Sequence, residues 1–495
     1  MAAFNLEEQK AYEDSFGEIH IADFSSKMMA GGQGVVIRTT APDLALKIIR
    51  DENDNVLTDD TQNEKYLDLR ILPIPEGLNI TLPQATLKGV EGYVMTLLNS
   101  MVSFEDAFAL DKFFYESALE DKNAAQNDAL LIYLEKNLSG SKKRCQKIYA
   151  YMKTGGLRRR LMAYMKVAAV LARLHTAGLV YCDFSHKNAF ISKDLNYENV
   201  WLIDADNLSF AELLRGGFFT PGFGAPEVVA RKAGSSFYSD CFSFATALFW
   251  HILNRHPFDG AAYQKTLDTQ TSEDYADNLR DLGQFAWILD EEDTSNDGRK
   301  YLIIPNEILL SAGLRELFAQ IFSVDSCENP THRPTMIQWA YETAFAFDNV
   351  IFSKNCGMDY AADGENFFIC PVDNLKVPAI RLKSYILGDN DEKISALWQF
   401  THELYNQKIK VPLRILNGFI CREIEDFAFV LELQGNKLLI QPDALNFSFS
   451  YTDGRAGLGT QFRNFGSFYA AQKNFSIKCL HKNGRRVLIE GERID

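Results

Sequence analysis

GLVYCDFSHKNAFI at 178–191, followed by NVWLIDAD at 199–206, decides how the rest of the chain is read. Asp183 offers a carboxylate that can accept a proton. Asn188, in the same loop, and Asp204, at the end of an apolar run, offer an amide and a second carboxylate that can hold Mg²⁺. These are the groups phosphoryl transfer asks of a protein, because placing two oxygens in line and neutralising phosphate charge is most of the task.

Working outward, LRRRLMAYMKVAAVLARLHT at 157–176 repeats its apolar residues with a period near 3.6 and stops at Gly178. It predicts a helix that delivers the chain to the Asp183 loop. Further upstream, KMMAGGQGVVIRTTAPDLALKIIR at 27–50 reads as strand, glycine turn, strand, polar turn, strand. Gly31, Gly32 and Gly34 would let backbone approach a phosphate closely, and Val36 would form an apolar roof over a base; alone, such glycines are more often just a flexible turn. Lys47 lies inside the apolar run LALKII, where an ammonium needs an anion. Glu64, in the amphipathic segment TQNEKYLDLRIL, is the expected partner, with Glu13 and the acidic loop 51–60 as competitors. GYVMTLL at 92–98 predicts a buried strand, with Met95 behind a nucleotide pocket and Thr96 and Leu98 presenting backbone groups.

Composition sets the outer limits. A chain of 495 residues exceeds one core and predicts two or three domains, and 46% hydrophobic with 24% charged residues is ordinary for a globular protein. The net charge of -15 argues against general nucleic-acid binding, leaving Arg158–Arg160 as the one tight basic cluster. Eight cysteines without a repeating spacing, a start (MAAFNLEEQK) without an apolar core and the absence of a long apolar run predict a cytoplasmic protein with free thiols and no membrane span.

Taken in order, the motifs resemble the eukaryotic-type protein kinases over residues 25–345. MAGGQGVV (29–36) resembles the glycine-rich loop with Met29 for its first glycine. LALK (44–47) resembles the strand of the phosphate lysine, with Ala45 among the nucleotide-lining positions. YCDFSHKN (181–188) resembles the catalytic loop, IDAD (203–206) the DFG motif, and TPGFGAPE (220–227) the end of the activation segment. SDCFSFATALFW (239–250) and HRPT (332–335) resemble later scaffold motifs. The resemblance implies a bilobal α+β fold binding ATP and Mg²⁺. Asp183 would be the base, Asn188 and Asp204 the metal ligands, and Lys47 the phosphate ligand paired with Glu64. Glu227 with Arg333, and Asp240, would be scaffold.

The departures carry information too. Tyr181 and Cys182 stand where the family has His-Arg, so the arginine that receives a loop phosphate is missing and activation by loop phosphorylation is not expected. Ser185 replaces a lysine, and Lys187 is expected to supply that charge. Ala205 and Asp206 replace Phe-Gly, adding an acid near the metal site, while Ser209 and Thr220 are candidate phosphorylation sites. The wording is most similar to bacterial kinases encoded beside von Willebrand A domain proteins and PP2C phosphatases in tellurite-resistance-type clusters. That implies a protein substrate and such partners, with a nucleotide-binding pseudokinase scaffold as the alternative.

The expected division is 1–98 and 99–349 as the two lobes, 350–374 as a degenerate zinc-ribbon-like linker and 375–495 as a β-rich accessory domain. Cys356 and Cys370 sit in two knuckle-like turns, each with one thiol where zinc sites use two, Ser353 and Asp373 filling the other positions; no zinc is expected on that count. Beyond the linker, turns at Gly435-Asn436 and Asn483-Gly484 predict hairpins, Phe447, Phe449 and Tyr451 a strand face, and EKISALWQFTHELYNQK at 392–408 a helix.

Overall fold

The structure, a computed structural model, describes residues 10–25, 29–31, 34–51, 53, 55–111, 129–137, 141–211, 216–269, 273–405, 408–444, 446–452, 467–470 and 472–495. Gly32 lies outside them, as do residues 112–128. The chain is a mixed α+β protein with antiparallel sheets at both ends and helices between them.

The first large sheet has five strands in the order Met29–Gly31, Gly34–Arg38, Leu44–Ile49, Gly92–Thr96, Ala85–Thr86, all antiparallel. Alternation along Leu44–Ile49 sends Leu46 and Ile48 into a small outer cluster with Val35, Ile37 and Val94. Ala45 and Ile49 face the opposite way, into the main core with Tyr93 and Met95, and Lys47 shares that inner face. The two glycines that bracket Lys47 are set by this packing. A Cβ on Gly92 would strike the Lys47 carbonyl, and one on Gly34 the Ile48 carbonyl.

The helix Gly156–Thr176 runs through the main core. It enters by Gly155 and Gly156, both at positive φ, and its first free N–H groups, on Leu157 and Arg158, donate to the Asp359 carboxylate at 3.0 and 2.9 Å. Its end is marked by Gly178 at φ 81°. Phe237–Leu253 packs across it behind a Ser236/Ser239 capping box, and Met336–Asp348 lies alongside.

Arg158–Arg160 is no surface patch. Arg160 is fully buried and donates to the carbonyls of His251, Gly156 and Tyr151. Arg159 serves Ser192 O and Thr154 O, and Arg158 pairs with Glu403 at 2.6 Å.

Beyond residue 375 two antiparallel sheets share one core. Five strands run Lys393–Glu403, Ala379–Leu387, Arg486–Ile494, Asn474–His481, Phe447–Thr452. Four run Lys408–Pro412, Phe427–Gln434, Lys437–Pro442, Phe468–Ala470. The hairpin at Gly435-Asn436 closes Gln434 onto Lys437, with Gly435 at φ 60°. One expectation is corrected. Where a helix was expected at 392–408, Lys393–Glu403 is a strand, because Trp398 and Phe400 alternate with half-buried Leu397 and Gln399 at period two. Within 350–374, Val350, Ile351, Cys356, Met358, Tyr360 and Cys370 are buried members of the main core.

Candidate functional site

The Asp183 loop and the IDAD turn meet because of a hairpin. Ala189–Ser192 pairs antiparallel with Val200–Leu202 in the register Ala189↔Leu202, and the Ile203 N–H donates to Asn188 O at 2.9 Å. Asn188 and Asp204 therefore leave the same end of that hairpin. Asn188 Nδ2 donates to Asp183 O at 2.8 Å, which commits the amide nitrogen inward and ties the loop to itself. Asp204 sits at φ 60° in the left-handed region and Cys182 at φ 80°; both are sharp turns of a kind that clusters where side chains are aimed at a site. Below the loop, fully buried Asp240 accepts from the N–H groups of Tyr181 and Cys182 at 2.8 and 2.9 Å and from His175 Nε2 at 3.0 Å. The bracing expected of Asp240 is present, as is the buried Glu227–Arg333 pair, a fork at 2.7 and 2.8 Å.

Lys47 reaches across from the first sheet to this turn. Its Nζ donates to Asp204 Oδ1 and, at 2.5 Å, to Asp206 Oδ2. Asp206 in turn accepts from the Tyr93 hydroxyl at 2.5 Å. Burial disfavours the Lys47 ammonium, but the Asp204 and Asp206 carboxylates outweigh it and hold its pKa above the ordinary value. Burial pushes Asp206 up, and Asp204 adds to this while Lys47 opposes it.

Glu64 is the correction at this site. Asn63, Tyr66 and Leu69 form the buried face of the short helical stretch, and Glu64, one position out of phase, points to solvent. Asn63 takes the inward place, donating to Leu87 O and Val90 O and accepting from Gly92 N–H. The carboxylates that meet Lys47 are Asp204 and Asp206. Sequence reading placed Asp206 near the metal site but missed this contact; an acid after Asp204 and a tyrosine on the Gly92–Thr96 strand were the signals available.

The remaining positions fall as follows. Val36 is opposite Lys47 in the strand register, and Ala45 is opposite Met95. Val36, Ala45 and Met95 all pack on the inner core. Thr96 accepts from Gln84 Nε2 through its hydroxyl at 2.8 Å, and Leu98 follows half-buried. Gly31 pairs with Gly34 at the hairpin end. Lys187 is exposed beside Asn188.

Asp183 carries the second feature that sequence reading missed. The Thr220 hydroxyl donates to Asp183 Oδ1 at 2.9 Å, so one candidate phosphorylation site already touches the candidate base. Burial raises the Asp183 pKa, this hydroxyl lowers it, Asp204 raises it, and the balance is upward. Next to Thr220 opens a cavity of about 950 Å³, lined by Gly217, Phe219, Pro221, Lys232, Asp277 and Arg280 among others.

The chemistry of the donor set fits a hard cation. Asp204, about one-third exposed, and the Asn188 amide are oxygen donors of the kind Mg²⁺ takes. Compared with known proteins, the sequence matches no protein-family model and no curated protein.

Proposed function

We propose that this chain is an ATP-dependent protein kinase that transfers the γ-phosphate to a Ser or Thr hydroxyl of a partner protein. The observation that carries the reading is the meeting of Lys47, from one sheet, with Asp204, beside Asn188 and the Asp183 loop. In this reading Val36, Ala45 and Met95 enclose the base, while Lys47 binds phosphate oxygens. Asn188 and Asp204 hold Mg²⁺, which supplies charge neutralisation on the phosphates when bound. Asp183 orients the acceptor hydroxyl and takes its proton, a job helped by a pKa raised above the ordinary aspartate range. Thr220 occupies that hydroxyl's place until the acceptor displaces it, and Lys187 adds positive charge from the rim. The cavity beside Thr220 is where an acceptor segment would lie.

Asp206 does what Glu64 was expected to do. It fixes Lys47 through one oxygen and is itself fixed by Tyr93 through the other. This places the orienting anion in the same turn as the metal ligand, so the two cannot be assembled separately. Such a site needs no loop phosphate, in keeping with Cys182 in place of a phosphate-receiving arginine.

The test is incubation of the pure protein with Mg²⁺ and γ-labelled ATP, with a general acceptor protein, beside Asp183→Asn and Asp204→Asn. Label transferred by the wild type and lost in both variants is expected. Nucleotide binding without transfer would establish the scaffold reading instead, and label on a small molecule a metabolite kinase. A cognate PP2C-type phosphatase and a von Willebrand A domain partner remain part of the proposal through the resemblance.

A further inference from the structure

Residues 350–377 carry chemistry that the Lys47 site does not use. Val350–Ser353 pairs antiparallel with Met358–Ala361, and the turn between them is held by Gly357 at φ 70°, whose N–H donates to Ser353 O at 2.9 Å. A second turn follows Cys370, where the Asn374 N–H donates to Cys370 O at 2.8 Å with Asn374 at φ 57°. The two turns bring Cys356 Sγ and Cys370 Sγ to 3.5 Å, both buried and unbridged. With the Asp373 carboxylate, the three ligand atoms lie within 4.8 Å of one another.

Two further observations point to a guest. Fully buried Ser353, at the end of the strand that leads into the Cys356 turn, makes no hydrogen bond with Oγ. Asp373 accepts from Leu375 N–H through Oδ1, leaving Oδ2 buried without a partner. Buried oxygens without partners beside two close sulfurs are costly to keep unless a cation takes them as ligands.

We propose that Ser353, Cys356, Cys370 and Asp373 form a binding site for one divalent transition-metal ion of the zinc class. Two thiolates, a carboxylate and a hydroxyl make a four-donor shell. Tetrahedral zinc with Zn–S near 2.3 Å would set its sulfurs about 3.8 Å apart, a few tenths from the distance found. On binding, both thiols release their protons to solvent, and two thiolates with one carboxylate meet the dipositive charge. The expectation of no zinc rested on counting thiols; folding turns the two non-thiol positions into donors. The site is independent of the nucleotide reading. It lies against the start of the helix Gly156–Thr176, since Asp359, next to Met358, caps that helix.

The experiment is a Co²⁺ titration of the full-length protein under reducing conditions, followed by absorption, then displacement with Zn²⁺. One equivalent of Co²⁺ should give sulfur-to-cobalt charge transfer with tetrahedral ligand-field bands that Zn²⁺ abolishes, and Cys370→Ser should lose them. Asp373→Cys should add a thiolate, intensify the charge-transfer band and hold the metal against a chelator that strips the wild type. Folded wild type without those bands would overturn the proposal. So would bands that survive Cys370→Ser, or an Asp373→Cys spectrum identical to the wild type, which stays informative if Cys370→Ser does not fold.

Discussion

Asp206 is the residue on which the Lys47 geometry turns. A lysine held by two carboxylates on adjacent corners of one turn is oriented without help from the Glu64 segment. Asp206→Asn should therefore lower kcat/KM for MgATP roughly 10- to 100-fold, the worth of one charge-assisted hydrogen bond. Glu64→Gln should leave it unchanged; steady-state transfer kinetics on the two variants checks both. Thr220 offers a pH test of the same site. In the proposed transfer Asp183 must be unprotonated, so activity should fall as pH drops through its raised pKa. The Thr220 hydroxyl pulls that pKa down, and Thr220→Val should move the acid limb of the pH–rate profile to higher pH. If the limb moves to lower pH or stays in place, Asp183 is not the group that titrates.

At the scale of elements, the strands around Lys47 are packed too closely for any side chain at Gly92. Gly92→Ala should cost about 1–3 kcal/mol, read from urea unfolding midpoints, because the new methyl meets the Lys47 carbonyl and the strands must part. The helix Met336–Asp348 carries a second pH signature. Burial, with Glu316 and Asp363 nearby, pushes Glu342 up to about 7. The folded state thus holds the proton more tightly than the unfolded chain. Its contribution is complete below the ordinary carboxylate range and is lost as pH rises through about 7. Glu342→Gln should flatten the fall of Tm across that window.

Much of this was legible in the sequence wherever a local pattern dominates. The 3.6-residue repeat and Gly178 mark the long helix, period two with Gly-containing turns marks the late hairpins, and Asp183, Asn188 and Asp204 are the residues that the hairpin brings together. What was not legible depends on phase or on distance. Glu64 and Asn63 differ by one helical step, and only the packing of Tyr66 and Leu69 decides which turns inward. Asp206 meets Tyr93 across more than a hundred residues, and no local rule announces that contact. The segment 392–408 has enough polar residues for a helix, but Lys393–Glu403 within it becomes a strand because its neighbour on the sheet, Ala379–Leu387, accepts it over nine register pairs.

At the scale of the molecule, the late β sheets are fastened to the helical region by charge as well as by apolar contact. Fully buried Asp348 accepts from Arg414 at 2.5 and 2.6 Å and from Trp398 Nε1 at 2.7 Å. Arg158 forks onto Glu403, and the core of the late sheets includes Met165 and Ala344 from two of the helices. Arg414→Met would leave Asp348 buried without its counter-ion and should destabilise by about 3–5 kcal/mol in chemical denaturation. Replacing Asp348 by Asn in the same chain should return part of that loss. The pair also decides how the polypeptide can be taken apart. Cutting it between the helices and the last sheets would strand an aspartate on one piece and an arginine on the other, each in a greasy surface. Limited proteolysis should therefore yield no soluble fragment ending near 375, and heating should give one endotherm where two autonomous modules would give two.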